Sequence, residues 1–464
     1  MKLEEVKQIY FLGIGGIGMS ALARYFHSKK IRVSGYDKTP TALTDELAAE
    51  GIAIHFTDDI SMVDGDILKN PGESLIVRTP AVPKDHQELC YFQEKGFAVK
   101  KRSEVLGMIT RNSFTIAVAG THGKTTTSSM IAHILRHSGI DCTAFLGGVT
   151  KNYNTNLLIP SDPQNNVVVV EADEYDRSFL TLHPDIAVIT SMDADHLDIY
   201  GSAEYMQESY RMFASQVKDG GTLIYKMGLP LNEIAVNSRT YSVRSEGDYS
   251  AGNIGIVNHR FRFDWTGNGQ GIKNLSGGMP GRHNIENAVA AIAAVSLLNV
   301  PQEKIAAGYN SFSGVKRRFD YRLKSPELVY IDDYAHHPEE LKACIMAARE
   351  LYPGWHLCGV FQPHLFSRTR DFADGFAASL SLLDELMLLD IYPARELPME
   401  GVSSKLIYDK VSIPKKTLCR REDIERMLED CHRGVVLTLG AGDIDQLVEP
   451  IQKCLEKNLN KKYS

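Results

Sequence analysis

The chain has 464 residues and a formal net charge of −7, because 51 Lys and Arg stand against 58 Asp and Glu. At roughly 100–200 residues per domain, this length predicts two to four domains. The mild acidity argues against a dedicated nucleic-acid binder, which needs a basic surface. A hydrophobic fraction of 43% argues against disorder as the main state of the chain.

The sequence shows no sign of a membrane or secreted protein. No apolar run reaches the roughly 18–20 residues that a membrane span needs, and the first residues lack a signal-peptide pattern. The seven cysteines are odd in number and form no C-x-x-C, which fits neither a disulfide framework nor a zinc site. We therefore expect a cytoplasmic protein with free thiols and no membrane insertion.

Apolar β-type runs alternate with helical patterns along the chain, which predicts parallel sheets covered by helices. Three strand–glycine loop–helix units indicate three separate α/β domains. We place the boundaries near residues 108 and 315, which gives domains over 1–108, 109–315 and 316–464. The functional residues are expected at the carboxyl ends of the strands.

The first unit opens with the strand QIYFL and the loop Gly13–Gly18, which reads GIGGIG and precedes a helix. Its glycines allow the backbone to approach a pyrophosphate, and the helix N-terminus offers amide donors. Asp37 ends the second strand, where it could accept a hydrogen bond from a ribose or a base. A nicotinamide dinucleotide and tight packing without a ligand remain alternatives for this loop. A further strand is predicted near Leu75–Pro83.

The second unit begins near Ser113 with the strand FTIAVAG, the loop Gly120–Thr126 and a helix that closes at Gly139. The loop reads GTHGKTT and resembles a P-loop that is one residue short. Its glycines let consecutive amides point at phosphate oxygens. Lys124 would reach the terminal phosphates, and the Thr125 hydroxyl would bind Mg²⁺.

Two acidic motifs end the next two predicted strands, EADEYD at 171–176 and DADHLD at 193–198. Each motif alone is typical of a solvated loop. Because adjacent strand ends would bring them beside the phosphate loop, the carboxylate of Glu171 and the imidazole of His196 could complete a magnesium site.

The remainder of the second unit predicts a hairpin at AGNIGIVNHRFRFDW and a long helix at GRHNIENAVAAIAAVSLL. The third unit contains four strands. Asp332–His337 ends the first and suggests ligand contacts or proton transfer. Arg368, in the FQPHLFSRTR segment after the second strand, is a candidate clamp for a carboxylate or phosphate. For Arg368, and for Arg317 and Arg318, surface salt bridges are the alternative.

The ordered motifs GxGGxG, GTHGKTTT, EADEYD, DADHLDIYG, GRHNIENA, DDYAHHP, FQPHxxxRTR and GAGD resemble those of the Mur ligases. The resemblance runs from about Gly13 to Gly442. It implies a Rossmann-like N-terminal domain for a UDP-sugar, a central P-loop ATPase domain, and a C-terminal dinucleotide-binding-like domain that closes over the substrates.

The resemblance also implies roles for particular residues. In the first domain, UDP would be held by Gly15, Gly16, Gly18 and Asp37. ATP would be bound by Gly120, Thr121, His122, Gly123, Lys124, Thr125, Thr126, His283, Asn284 and Asp333. Magnesium would be bound by Thr125, Glu171 and His196. The catalytic set would comprise Lys124, Glu174, His196, His336 and Arg368, with His336 as the suggested base for the amine.

The implied activity is ATP-dependent ligation in peptidoglycan precursor synthesis. The lactyl carboxylate of UDP-N-acetylmuramate would attack the γ-phosphate, and L-alanine would then attack the acyl phosphate. Leu365 stands where many relatives have arginine, so one anion contact would be absent or supplied by Arg370. Arg211 stands near the place of a carbamoylated lysine in other Mur ligases, so that modification is not predicted.

Four alternatives stay open. A murein-peptide ligase would attach a recycled tripeptide to the same UDP-sugar. A folylpolyglutamate synthase would lack the separate first domain. An NAD-dependent oxidoreductase would not explain the GKTT loop, and a nucleotide-hydrolysing switch would not explain the first domain. A monomer and a homodimer are both compatible with the sequence.

Overall fold

The computed structural model describes residues 3–162, 167–193, 200–231, 234, 236–243, 247–394 and 396–462. These residues divide into two compact units. Unit 1 comprises Met1–Gly252, Asp264–Leu275 and Glu286–Phe312, and unit 2 comprises Asn253–Phe263, Ser276–Ile285 and Ser313–Ser464. In the part of the chain so described, no helix is long and apolar enough to cross a membrane.

The first sheet is parallel throughout, and its strands run in the order β3-β2-β1-β4-β5. Its strands are β1 (Gln8–Leu12), β2 (Arg32–Tyr36), β3 (Ala53–His55), β4 (Ser74–Arg78) and β5 (Ala98–Lys101). Its helices are α1 (Ile17–Ser28), α2 (Ala42–Ala49), α3 (Gly65–Lys69), α4 (Gln87–Glu94) and α5 (Arg102–Thr110). The predicted strand–loop–helix start is confirmed, and the boundary predicted near residue 108 falls within α5.

The second sheet has ten strands in the order β15-β14-β13-β12-β11-β10-β6-β9-β7-β8. The strands are β6 (Phe114–Ala119), β7 (Thr143–Thr150), β8 (Thr155–Leu158), β9 (Val167–Glu171), β10 (Ile186–Ile189), β11 (Thr222–Lys226), β12 (Ser238–Ser242), β13 (Tyr249–Val257), β14 (Arg260–Gly267) and β15 (Gln270–Leu275). The accompanying helices are α6 (Lys124–His137), α7 (Ala203–Ala214), α8 (Arg282–Ser296) and α9 (Gln302–Ser311). The predicted hairpin corresponds to β13 and β14.

The two sheets of unit 1 share one apolar cluster. Phe11 of β1 and Ala117 of β6 both belong to it, as does Phe179 from the 3-10 helix Tyr175–Thr181. Buried Asn156 joins the two parts as well, because its Nδ2 donates to the carbonyl of Ile17 at 2.6 Å. The first two predicted domains therefore pack against each other over a continuous core.

The third sheet lies in unit 2 with the order β16-β17-β21-β18-β19-β20, and β16 is antiparallel to β17. The strands are β16 (Asp320–Lys324), β17 (Leu328–Asp333), β18 (Leu357–Phe361), β19 (Glu385–Leu388), β20 (Lys415–Leu418) and β21 (Gly434–Leu439). The helices are α10 (Pro338–Leu351), α11 (Phe366–Asp371), α12 (Ala373–Leu380), α13 (Lys405–Tyr408), α14 (Ile424–Met427) and α15 (Val448–Lys462). All four strands predicted here are present, and all seven cysteines are free.

Candidate active site

The Gly13–Gly18 loop joins β1 to α1 and closes on the end of β2. The Gly15 N–H donates to Asp37 Oδ2 at 2.7 Å, so these two predicted residues lie together. A Cβ on Gly15 would lie 2.9 Å from that same oxygen, whereas one on Gly16 would meet nothing closer than 3.8 Å. A Cβ on Gly18 would lie 2.7 Å from Arg102 Nη1. Backbone amides and a helix N-terminus therefore face this end of the sheet.

The phosphate loop leaves β6 through two glycines with positive φ, +135° at Gly120 and +83° at Gly123. A Cβ on Gly120 would lie 2.1 Å from Thr190 Oγ1, and one on Gly123 would lie 2.5 Å from Asn287 Oδ1. Side chains are excluded at both positions, which explains the GTHG spacing. Helix α6 begins at Lys124, directly after Gly123, so its first amides face the loop as an anion site requires.

Lys124 is held over this loop by a buried carboxylate. Its Nζ donates to the Gly120 carbonyl at 2.6 Å and lies 2.9 and 2.7 Å from the two carboxylate oxygens of Glu174. Burial raises the pKa of Glu174, which is 2% exposed, to about 7, although Lys124 opposes that shift. Burial alone would lower the pKa of Lys124. The negative charges of Glu174, Glu171 and Asp173 outweigh this effect, so the pKa is raised overall. The ammonium is thus charged and directed at the loop.

Two other loop residues hold the phosphate loop on the segment that follows β10. The Thr121 hydroxyl donates to the Asp193 carbonyl at 2.8 Å, and the His122 N–H donates to Ser191 Oγ at 2.8 Å. His122 Nε2 lies 3.7 Å from Asp193 Oδ2. Thr126 is buried in the first turn of α6. The Thr121 side chain and the His122 backbone therefore help to fix the shape of the loop.

The carboxylate of Glu171 lies beside the phosphate loop at the end of β9. Thr125 Oγ1 donates to its Oε1 at 3.1 Å, and the Gly147 N–H donates to its Oε2 at 2.9 Å. A carboxylate and a hydroxyl oxygen are the hard ligands that Mg²⁺ prefers, so these donors fit the ion. His196 lies outside the described residues. Within the described residues, no group of three or more His, Cys, Asp or Glu converges as a metal site.

The two acidic motifs do not lie on neighbouring strands, which corrects the expected arrangement. In the order β10-β6-β9, the strands that precede the two motifs lie on opposite sides of the phosphate-loop strand. Glu171 therefore ends one neighbour of β6, and Asp193 follows the other. Strand order depends on crossover connections that local sequence patterns do not specify.

Unit 2 brings Asp333, His336 and Arg368 to the carboxyl ends of its strands. His336 Nδ1 lies 2.9 Å from the Tyr334 carbonyl and 3.3 Å from Glu340 Oε2. Burial lowers the pKa of His336 to about 4, so the imidazole is neutral at pH 7. With the Nδ1 proton directed at Tyr334, Nε2 is left as the acceptor nitrogen.

Arg368 and His364 lie next to His336. Arg368 is 6% exposed, and its Nη1 lies 3.3 Å from His364 Nδ1. The His336 and His364 ring centroids are 6.0 Å apart. Strand β21 separates β17 from β18, yet the two motifs that follow β17 and β18 meet as predicted. A buried guanidinium beside the neutral imidazole of His336 suits recognition of a small carboxylate.

Three residues of unit 2 were predicted to bind ATP, and two of them, Asp333 and Asn284, form hydrogen bonds with backbone groups. Asp333 Oδ2 accepts from the Phe319 N–H at 2.7 Å and Oδ1 from the Ala335 N–H at 2.8 Å, while burial raises its pKa to about 6. Asn284 Nδ2 donates to the Pro280 carbonyl at 2.6 Å. Burial lowers the pKa of His283 to about 4.

Several contacts at the site were not foreseen. Asn287 packs against Gly123, Gly147 donates to Glu171, and Arg102 contacts both Gly18 and Asp173. Asn287 lies within the GRHNIENA motif, which was a usable signal, whereas Arg102 belongs to no motif. Leu365 is buried with a positive φ of 70°. Arg370 pairs with its neighbour Asp371 at 2.7 Å and is about half exposed.

Three family models match successive parts of the chain. The Mur ligase family catalytic domain matches residues 8–114, the Mur ligase middle domain 118–295, and the Mur ligase glutamate ligase domain 317–442. Each range contains most of one of the three sheets. The three-domain architecture is therefore that of the Mur ligases, with a Rossmann-like first domain, a central P-loop domain and a C-terminal α/β domain.

Known proteins are similar to this chain over nearly its whole length. UDP-N-acetylmuramate–L-alanine ligase of Parabacteroides distasonis is 52% identical, covering 99% of this chain and 100% of that protein. The enzyme of the same name from Flavobacterium johnsoniae is 50% identical over 99% and 100%. A crystal structure of UDP-N-acetylmuramate–alanine ligase from Thermotoga maritima superposes with a TM-score of 0.81 at 26% identity, covering 97% of this chain and 99% of that one. This chain belongs to the Mur ligase family.

Proposed function

We propose that this chain is an ATP-dependent ligase that joins L-alanine to the lactyl carboxylate of UDP-N-acetylmuramate, in peptidoglycan precursor synthesis. The observation that carries the proposal is the full-length similarity, at about half of all positions, to ligases of that name. That similarity spans both the Gly13–Gly18 loop and the phosphate loop, so the nucleotide-sugar and ATP parts are matched together. The oxidoreductase alternative leaves the Lys124–Glu174 arrangement without a role.

The reaction has two steps. A lactyl carboxylate oxygen attacks the γ-phosphorus of ATP, and the bond to ADP breaks, which gives an acyl phosphate. The amine of L-alanine then attacks the carbonyl carbon, loses a proton, and phosphate leaves with the bonding pair. The first step moves a phosphoryl group between two anions, so it needs positive charge at fixed positions.

In unit 1, Lys124 supplies that charge, and Glu174 holds its ammonium at the loop. The amides of Gly120–Thr126 would bind the phosphate oxygens. Thr125, Glu171 and His196 would hold Mg²⁺, which neutralises phosphate charge when bound. Gly15, Gly16, Gly18 and Asp37 would bind the UDP part. The catalytic and binding roles of all these residues are proposals.

In unit 2, Arg368 would bind the carboxylate of L-alanine, and neutral His336 would accept the proton of its amine. ATP would also be bound by His283, Asn284 and Asp333. Asp333 would contribute by fixing the backbone through its two hydrogen bonds. The domain boundaries near residues 108 and 315, the cytoplasmic location and a monomeric or dimeric state remain predictions from the sequence.

The test is phosphate release from magnesium ATP and UDP-N-acetylmuramate, with L-alanine, glycine, L-serine or the tripeptide added in turn. The expected result is release that needs both the sugar and L-alanine, with a product heavier by one alanine residue. Turnover with the tripeptide alone would identify a murein-peptide ligase instead. Phosphate release from ATP without either the sugar or an amine would indicate a nucleotide-hydrolysing switch.

A further inference from the structure

Arg102 is the first residue of α5 and follows directly after β5, at the same edge of the parallel sheet as the Gly13–Gly18 loop. The start of its helix is fixed, because the Lys101 N–H donates to Glu104 Oε2 at 2.7 Å. The side chain is 24% exposed. Arg102 is thus a mostly enclosed cation on a well-defined piece of backbone.

One end of the Arg102 guanidinium lies against the loop. A Cβ placed on Gly18 would be 2.7 Å from Nη1 and 3.2 Å from Cζ, so any larger residue there would displace the guanidinium from its present position. The loop itself, Gly13–Gly18, contains no basic residue, and the Asp37 carboxylate accepts from Gly15 within it. Arg102 therefore brings positive charge to a loop that contains none and has an acid beside it.

The other end reaches the EADEYD motif. Arg102 Nη2 donates to Asp173 Oδ2 at 3.1 Å, and Asp173 directly precedes Glu174, the partner of Lys124. Helix α5 is docked on the same segment, because Thr181 Oγ1 donates to the Ser103 carbonyl at 2.8 Å. The guanidinium thus spans from the first glycine-rich loop to the residue next to the catalytic ion pair.

We propose that Arg102 is a substrate-positioning residue, whose guanidinium binds the diphosphate of the nucleotide sugar while Asp173 holds its other edge. This inference rests on the proposed function. A guanidinium can engage two anions through separate N–H groups of its planar fork. Held in this way, the diphosphate is tied through one side chain to the strand end that carries Glu174, which sets the position from which the sugar extends.

The test compares UDP with uridine as ligands of the full-length protein, by calorimetry with uridine measured in competition. In Arg102→Ala, UDP affinity is expected to fall about ten- to a hundredfold, as for a lost charged hydrogen bond, while uridine affinity changes less than about twofold. Arg102→Lys keeps the charge but loses the fork, so an intermediate loss is expected. Arg24→Ala is the matched control, because Arg24 lies on α1 but contacts Glu46, Glu50 and Asn156.

An equal loss of UDP and uridine binding in Arg102→Ala would mean a purely structural role and would overturn the inference. Unchanged UDP binding would also overturn it, with the proposed function intact. A wild-type protein that binds neither UDP nor UDP-N-acetylmuramate would instead refute the proposed function.

Turnover supplies a second readout. Arg102→Ala should raise KM for UDP-N-acetylmuramate at least tenfold and leave KM for ATP within about twofold. Asp173→Asn keeps Arg102 but loosens it, so a smaller rise in the same KM is expected. A parallel rise in both KM values would contradict a role at the diphosphate.

Discussion

The Gly13–Gly18 loop and the Gly120–Thr126 loop both follow a parallel strand and precede an α-helix. They differ in the charged residues that surround them. The second loop carries its own cation, Lys124, and the end of β9 brings the buried Glu174 and the Glu171 carboxylate to it. The first contains no cation, and Arg102 is brought to it from another element. Under the proposed function, the first loop would hold a diphosphate that stays intact, and the second would stabilise a phosphoryl group during its transfer.

The largest expected difference between the two loops follows from removing Lys124, the cation of the second loop. Lys124→Ala should lower the ligation rate about a thousandfold or more, because the transferred phosphoryl group loses its fixed positive charge. UDP binding should stay within about twofold of wild type. Glu174 can take up a proton once Lys124 is gone, since burial already raises its pKa to about 7. Exposed Lys7→Ala is the control, and a joint loss of ATP and UDP binding would contradict the separation.

The two loops should also differ in how far they tolerate replacement of a glycine by alanine. Gly120→Ala is expected to lower the free energy of unfolding by about 3 kcal/mol, because φ is +135° and a Cβ would lie 2.1 Å from Thr190 Oγ1. Gly16→Ala should change it by less than about 1 kcal/mol, since no atom lies closer than 3.8 Å to its Cβ position. Urea denaturation of both variants measures the difference, and equal losses would show that the two loops are equally constrained.

The cation requirement should belong to the second loop alone. Glu171→Gln is expected to raise the magnesium concentration for half-maximal turnover about ten- to a hundredfold, because a hard cation loses a charged oxygen ligand. UDP affinity measured without magnesium should not change. Glu208→Gln, on an exposed pair with Arg211, is the control. An unaltered magnesium requirement would remove Glu171 from the site.

The smallest expected effect is a pH dependence confined to the second loop. The pKa of Glu174 is raised by burial to about 7, so the carboxyl gains its proton as the pH falls from 8 to 6. Loss of that negative charge beside Lys124 should strengthen ADP binding a few fold. Glu174→Gln should abolish this part of the pH dependence and provides the reference for the titration of ADP itself. UDP binding should show no difference between wild type and Glu174→Gln over this range.

Local patterns predicted the parts of both loops that depend on local physics. Unbroken apolar runs marked β6, β9 and β10, and glycines with a following helix marked both loops. The sequence could not specify that β9 and β10 flank β6, because strand order is set by packing of crossover helices. It also could not reveal Arg102, whose contacts with Gly18 and Asp173 join residues that are distant in sequence. For the same reason the resemblance placed Lys124 and Glu174 in one catalytic set without predicting that they form an ion pair.

The central position of β6 has a consequence for motion. Its residues Ile116–Val118 are fully buried and are paired on both sides, with β10 and with β9. Their amides should therefore be among the slowest in unit 1 to exchange with deuterated solvent, since exchange there requires opening of the sheet itself. We therefore expect the strand that anchors the phosphate loop to stay closed during turnover. Any movement that accompanies catalysis should appear as faster exchange elsewhere in the chain.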